Sequence, residues 1–172
     1  MRIFLTGFMG AGKSTAGRRL AKALDLEFLD LDFEIERVTG MKIAEIFIEK
    51  GEEDFRKTES ETLRTLTTDQ SHALISTGGG TPCFLENMKF MNSAGITVYL
   101  ELPVGALVNR LMNSKNARPL IEGMNEKELN SYVADTLAQR VPYYRKAQII
   151  VNGMNVDEKG LTEKIRSQYD IS

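Results

Sequence analysis

"GFMGAGKST", residues 7–15, is the stretch from which the rest of the sequence is best read. It fits G-x-x-x-x-G-K-[ST], the pattern of a loop that wraps phosphates in its own backbone N–H groups. Gly7, Gly10 and Gly12 let the chain curl tightly enough for successive N–H groups to face one point. A helix opening near Lys13 adds the positive end of its dipole. Lys13 can then neutralise β- and γ-phosphate charge, and the Ser14 hydroxyl can ligate Mg²⁺. From average composition, a chance match in a chain this long is on the order of one in a hundred. The context strengthens the reading. "RIFLT" (residues 2–6) is an apolar strand, and "KSTAGRRLAKAL" (residues 13–24) places Ala16, Leu20 and Leu24 on one helical face.

Outward from this loop, short apolar runs alternate with longer helical stretches. "LEFLD" (26–30), "HALIS" (72–76), "ITVYLEL" (96–102) and "QIIV" (148–151) read as four further strands. Helical pattern covers residues 33–68, broken near Gly40 and Gly51, and returns at 85–93, 104–112 and 157–168. Alternation of this kind predicts an α/β fold with a mostly parallel sheet and helices on both faces. Ligands in such sheets bind beyond the carboxyl ends of the strands. The phosphate loop after strand one, the acids after strand two and the triple glycine after strand three therefore share one edge. Residues 113–125, "NSKNARPLIEGMN", read as a mobile loop of lid length.

The bulk numbers exclude several classes. The chain has 172 residues, enough for one domain with a real core, and no linker argues for two. A net charge of −2 gives no reason to expect a nucleic-acid or anionic-membrane partner. Cys83 is the single cysteine, so an internal disulfide and a multi-cysteine metal cluster are both excluded. Cys83 reads as a small core or loop residue and the single histidine, His72, as a surface residue. No signal-type leader is expected, since the first apolar run breaks at Gly7, and no apolar run approaches a membrane span. A reducing cytoplasm is the expectation.

Among nucleotide proteins, a guanine-reading N-K-x-D is missing; the nearest text is "NSKN". An apolar strand ending in Asp, as ATP-driven motors carry, is missing too, and Glu101 reads as a strand-end charge. Asp30 and Asp32, in "FLDLD" (residues 28–32), are the replacements. If strand two extends through Asp32, both carboxylates point to the same side of the sheet. In the competing reading Asp32 is the N-cap of a helix starting at Phe33. Neither reading excludes the other.

Four more features converge. "EEDFRKTESETL" places Arg56 and Glu59 three apart on a helix, where they can pair. "ISTGGGT" offers exposed backbone N–H groups. "NARPL" puts Arg118 in the lid loop, and "AQRVPYYR" puts Arg140 at a helix end before Pro142. With these in view, the chain resembles the shikimate kinase family over essentially its whole length. "GFMGAGKST", "FLDLD", "IAEIF", "DFRKTE", "STGGG", "ARPL" and "RVPYYR" stand in that family's order and spacing.

The resemblance implies a three-layer α/β/α domain over residues 1–172 with five parallel strands ordered 2-3-1-4-5. Its substrate-binding region would lie at about residues 33–61 and its closing lid at about 112–124. It implies ATP and shikimate as substrates, Mg²⁺ as cofactor, a monomer, and a place in aromatic amino acid biosynthesis through chorismate. ATP would be held by Gly10, Ala11, Gly12, Lys13, Ser14, Thr15, Arg110 and Arg118. Mg²⁺ would be held by Ser14 and Asp30. The acceptor would meet Asp32, Phe47, Phe55, Arg56, Gly78, Gly79, Gly80 and Arg140. Lys13, Asp32 and Arg118 would carry the chemistry, with Asp32 orienting the attacking hydroxyl and taking its proton. Residue chemistry agrees: planar guanidinium groups suit a carboxylate, and a carboxylate suits hydroxyls. Two other readings compete. One is a gluconate kinase-like enzyme with a different polyhydroxy acid. The other is a non-catalytic P-loop regulator, which should have lost Lys13, Asp32 or the lid arginine.

Overall fold

The computed structural model describes residues 1–114 and 119–170. Strand β1 (Arg2–Thr6) runs through the phosphate loop into helix α1 (Lys13–Leu24). Then follow β2 (Glu27–Asp30), α2 (Leu31–Thr39), α3 (Ile43–Asp69) and β3 (Ala73–Ser76). A 3-10 turn (Thr81–Cys83) leads to α4 (Asn87–Ala94), β4 (Ile96–Glu101) and α5 (Val104–Met112). Helix α6 (Glu126–Tyr144), β5 (Ile149–Asn152) and α7 (Glu158–Asp170) complete the chain.

The five strands form one sheet in the order β2-β3-β1-β4-β5, and every pairing is parallel. Leu5 sits opposite Ser76 on one side and Val98 on the other, so all strands end at the same edge. Strand β1 shows why the sheet is central. Ile3 and Leu5 pack with α1, α5, α6 and α7, while Phe4 between them faces α2, α3 and α4. An apolar run without alternation is what a strand covered on both faces requires.

Glycines set the breaks in the helical region, as expected. Gly40 closes α2 in the left-handed conformation (φ 68°), and Gly51 interrupts α3 with non-helical backbone (φ 81°, ψ 172°). Two expectations need correction. Strand β2 stops at Asp30, so Asp32 lies in the first turn of α2 rather than at the end of a strand. The cap of that helix is Asp30, whose Oδ1 accepts from the N–H groups of Asp32 (3.1 Å) and Phe33 (3.4 Å). Helix α6 also runs past Pro142 to Tyr144, leaving Arg140 inside its last turns. Among the described residues no helix is long and apolar enough to cross a membrane. Residues 115–118, with Arg118 and the middle of the expected lid, lie outside the described residues.

Candidate active site

The phosphate loop is built from one continuous segment at the carboxyl end of β1. Gly12 precedes α1 in the left-handed conformation (φ 89°), and a Cβ there would stand 3.2 Å from Arg110 Nη1. No side chain caps α1, so its first N–H groups open into the concavity of the loop. Lys13 reaches back across that concavity, its Nζ donating to the carbonyls of Gly7 (2.8 Å) and Phe8 (3.0 Å). The cleft outside the loop has a volume of about 430 Å³ and is lined by Lys13, Ser14, Asp30, Asp32, Gly78 and Arg110, among others. Size alone does not mark the site. A hollow of about 530 Å³ beside α4, lined by Pro82, Lys89 and Lys146, has no such backbone cradle.

Arg110 lies beside the phosphate loop, through contacts that its position in the sequence does not suggest. Its guanidinium donates to the Ala11 carbonyl at 2.9 Å and to the Gly153 carbonyl at 3.2 Å. It thereby ties the phosphate loop to the loop that follows β5.

Asp30 divides its two oxygens. One caps α2, and the other accepts the Ser14 hydroxyl at 3.2 Å. A hydroxyl and a carboxylate brought together beside a phosphate cradle are the oxygen donors that a hard divalent cation selects. No group of three or more His, Cys, Asp or Glu among the described residues forms a protein-only metal site. The set fits a cation that keeps most of its ligands as water and phosphate, as Mg²⁺ does.

Asp32 emerges two residues further on, in the first turn of α2, and reaches the glycine run. A Cβ added at Gly78 would lie 3.2 Å from Asp32 Oδ1. Burial, followed by the neighbouring carboxylates Asp30 and Glu59, raises the Asp32 carboxyl to about 6, against the pull of Lys13. By surface area Asp32 is nonetheless exposed, lining the open cleft, so its desolvation comes from the density of surrounding protein and not from closure to solvent. Protein crowds it on the other sides.

The far half of the cleft is assembled from distant segments. Arg56 of α3 and Arg140 of α6 flank the glycine run. A Cβ at Gly80 would fall 2.6 Å from Arg56 Nη2, and one at Gly79 would fall 3.1 Å from Arg140 Nη1. Any side chain at Gly80 would displace the arginine, so the glycine is needed for close approach. Arg56 pairs with the buried Glu59 (2.9 Å) and more loosely with Glu52 (3.3 Å). Its guanidinium lies over the rings of Phe84 (4.2 Å) and Phe55 (5.0 Å). Arg140 lies 5.5 Å from the Phe8 ring centroid. Phe47 and Phe55 are in contact, their centroids 4.4 Å apart. The Tyr144 hydroxyl donates to the Gly79 carbonyl and so fixes the run from the α6 side.

Sequence reasoning missed Phe84, the Asp30 cap and the second partner of Glu59. A lone Phe after Cys83 carries no signal in one dimension. Cys83 fits its expected bland role, with burial pushing its thiol up to about 11. Glu101 ends β4 paired with Arg145 at 2.8 Å, which accounts for it as a strand-end charge.

This geometry defines a class: a P-loop kinase whose nucleotide half faces a small, cation-lined acceptor half across one sheet edge. The comparisons narrow the class. The family model for shikimate kinase matches residues 9–169. The shikimate kinase of Parabacteroides distasonis is 45% identical over 171 residues, covering 99% of this chain and 95% of that protein. The crystal structure of shikimate kinase from Bacteroides thetaiotaomicron superposes with a TM-score of 0.90 at 37% identity, covering 99% and 98% of the two chains. Shikimate kinase from Acinetobacter baumannii in complex with shikimate gives a TM-score of 0.83 at 39% identity, covering 98% and 92%. The chain belongs to the shikimate kinase family.

Proposed function

We propose that this protein transfers the γ-phosphoryl group of ATP to the 3-hydroxyl of shikimate, giving shikimate 3-phosphate and ADP. The observation that carries the reading is the pairing of Arg56 and Arg140 about the glycine run, with Asp32 between them and the phosphate loop. Two guanidinium groups suit the acceptor carboxylate, and Asp32 suits its hydroxyls. Phe47 and Phe55 supply an apolar wall for the ring.

The chain's own residues account for each requirement of the transfer. The phosphate loop from Gly10 to Thr15 binds the phosphates through backbone N–H groups. Lys13, now folded onto the loop's carbonyls, exchanges them for phosphate oxygens. Arg110 secures the loop on its nucleotide side. Ser14 and Asp30 would hold Mg²⁺, which neutralises phosphate charge when bound. Asp32 orients the 3-hydroxyl, whose oxygen attacks the γ-phosphorus as the bond to the β–γ bridging oxygen breaks. The hydroxyl proton passes to the Asp32 carboxylate. A carboxyl raised to about 6 is mostly ionised at neutral pH yet basic enough to take that proton. A loose transition state asks more of positioning than of base strength.

The reading includes a single catalytic domain with a substrate-binding helical region at about residues 33–61, a monomer, and a cytoplasmic setting for an enzyme of aromatic biosynthesis. The family resemblance assigns Arg118 to the phosphates, at a position outside the described residues. Phosphorus NMR of a mixture of enzyme, ATP, Mg²⁺ and shikimate tests the reaction. The expected spectrum shows ADP and a phosphate ester coupled to the ring proton at carbon 3. ADP with free phosphate alone would overturn it.

A further inference from the structure

Glu59 is closed off from solvent, its side chain 1% exposed, and both of its oxygens are engaged. Oε2 accepts from Arg56 at 2.9 Å. Oε1 accepts from the Thr81 hydroxyl at 2.6 Å. Thr81 is itself fully buried and opens the 3-10 turn that follows the glycine run.

That turn is tied back to α3 by a second route. Asn87, also fully buried, donates from Nδ2 to the Thr81 carbonyl at 3.1 Å. Its Oδ1 accepts from the Ser60 hydroxyl (2.7 Å) and from Arg64 (2.9 Å). The hydrogen bonds therefore close a ring: Ser60 to Asn87 to Thr81 to Glu59, and on to Arg56 on the same helix. Gly78 lies against this ring. A Cβ there would stand 3.0 Å from both Glu59 Oε1 and Thr81 Oγ1.

We propose that Thr81 is a positioning residue for the acceptor carboxylate: its hydroxyl fixes Glu59 so that Arg56 keeps a guanidinium edge turned to the cleft at Gly80. The inference rests on the reading of Arg56 as half of the carboxylate clamp. Without the hydroxyl, Glu59 Oε1 is a buried acceptor with no donor, and leaving such a group unpaired is costly. The donor already bound to this carboxylate is Arg56. Glu59 then turns to take a second guanidinium N–H, in the fork-to-fork geometry that carboxylates favour. That bidentate pair occupies the edge on which the acceptor carboxylate would bind. Thr81 so acts on acceptor affinity through Glu59 and Arg56, without a part in holding ATP.

The test is steady-state kinetics on the full chain with both substrates varied. Thr81→Val keeps the shape and removes the hydroxyl, and the smaller Thr81→Ala serves where Val does not fold. Thr81→Ser keeps the hydroxyl. One charge-assisted hydrogen bond sets the scale, so the shikimate KM rises about tenfold in the Val and Ala variants. The ATP KM stays within about twofold, Ser restores the shikimate KM, and Val adds nothing further once Arg56→Ala is present. An unchanged shikimate KM in Val and Ala beside a raised one in Arg56→Ala overturns the proposal alone. Equal rises in both KM values, a failure of Ser to restore, or multiplicative effects in the double variant also overturn it. An unchanged shikimate KM in Arg56→Ala removes the clamp reading itself, and the proposal with it.

Discussion

The two halves of the cleft are built on opposite plans. The nucleotide half comes mostly from one continuous segment, residues 7–15, which on the proposed reading binds through its backbone and whose glycines set the shape. The other half draws on α2, α3, the glycine run and α6, and on the proposed reading its side chains hold the acceptor. A backbone cradle depends on local conformation. A side-chain clamp depends on how distant elements pack, and each clamp residue here has its own support: Glu59 and Phe84 for Arg56, Phe8 for Arg140. The difference teaches that the two affinities should respond to separate sets of substitutions, with Asp32 at the seam between them.

The largest expected effect is at that seam. Asp32→Asn should lower kcat about a thousandfold, the usual scale for removing a positioned acid or base. ATP binding measured by calorimetry should hardly change. Full turnover in this variant would remove Asp32 from the chemistry, and lost ATP binding would break the division between the halves.

Arg140→Ala comes next. It should raise the shikimate KM about a hundredfold, since charge-assisted hydrogen bonds to a carboxylate are lost. The ATP KM should stay within about twofold. Arg110→Ala is its mirror image. It unties the loop after β5 from the Ala11 carbonyl and should raise the ATP KM about tenfold, on the scale of two lost hydrogen bonds. The shikimate KM should not follow. Equal movement of both KM values in either variant would contradict the separate plans.

Smaller effects follow from the raised Asp32 carboxyl. The rate should fall as pH drops through about 6, where Asp32 takes up its proton. Glu59→Gln removes a neighbouring negative charge and should move that limb to lower pH. Stability carries the opposite sign. The folded carboxyl titrates near 6 and the unfolded one near 3.8, so the native state binds more protons between these values. The penalty of an ionised Asp32 is absent below the lower value and complete above the upper one. Asp32→Asn should therefore raise Tm at pH 8, by about 2 °C for a modest relief in a chain of this size. The gain should vanish at pH 4. Thermal melts at the two pH values check this, and a loss of stability at pH 8 would contradict it.

How much of this was legible in the sequence follows the same division. The phosphate loop, α1 and α5 could be read in one dimension because their chemistry is local: glycines, a lysine and a 3.6-residue apolar repeat. Gly40 and Gly51 likewise announced their breaks. "FLDLD" was legible only in part. Both acids were picked out, but an alternating strand and a capped helix start share the same few residues. Hydrogen bonding decided for the cap at Asp30 and moved Asp32 onto the helix. In the acceptor half, the residues' roles came from family resemblance, and their supports were legible only where they were local. Glu59 showed its i, i+3 partner Arg56, whereas Thr81 lies 22 positions away and meets it only because the turn after β3 folds over α3.

The central claim is that the acceptor half selects shikimate. Coupled measurement of ADP release, with shikimate and gluconate in parallel and a control without acceptor, tests it most directly. The account predicts ADP release dependent on shikimate, with gluconate near the control. Preference for gluconate, or ADP released at one rate whatever the acceptor, would contradict it.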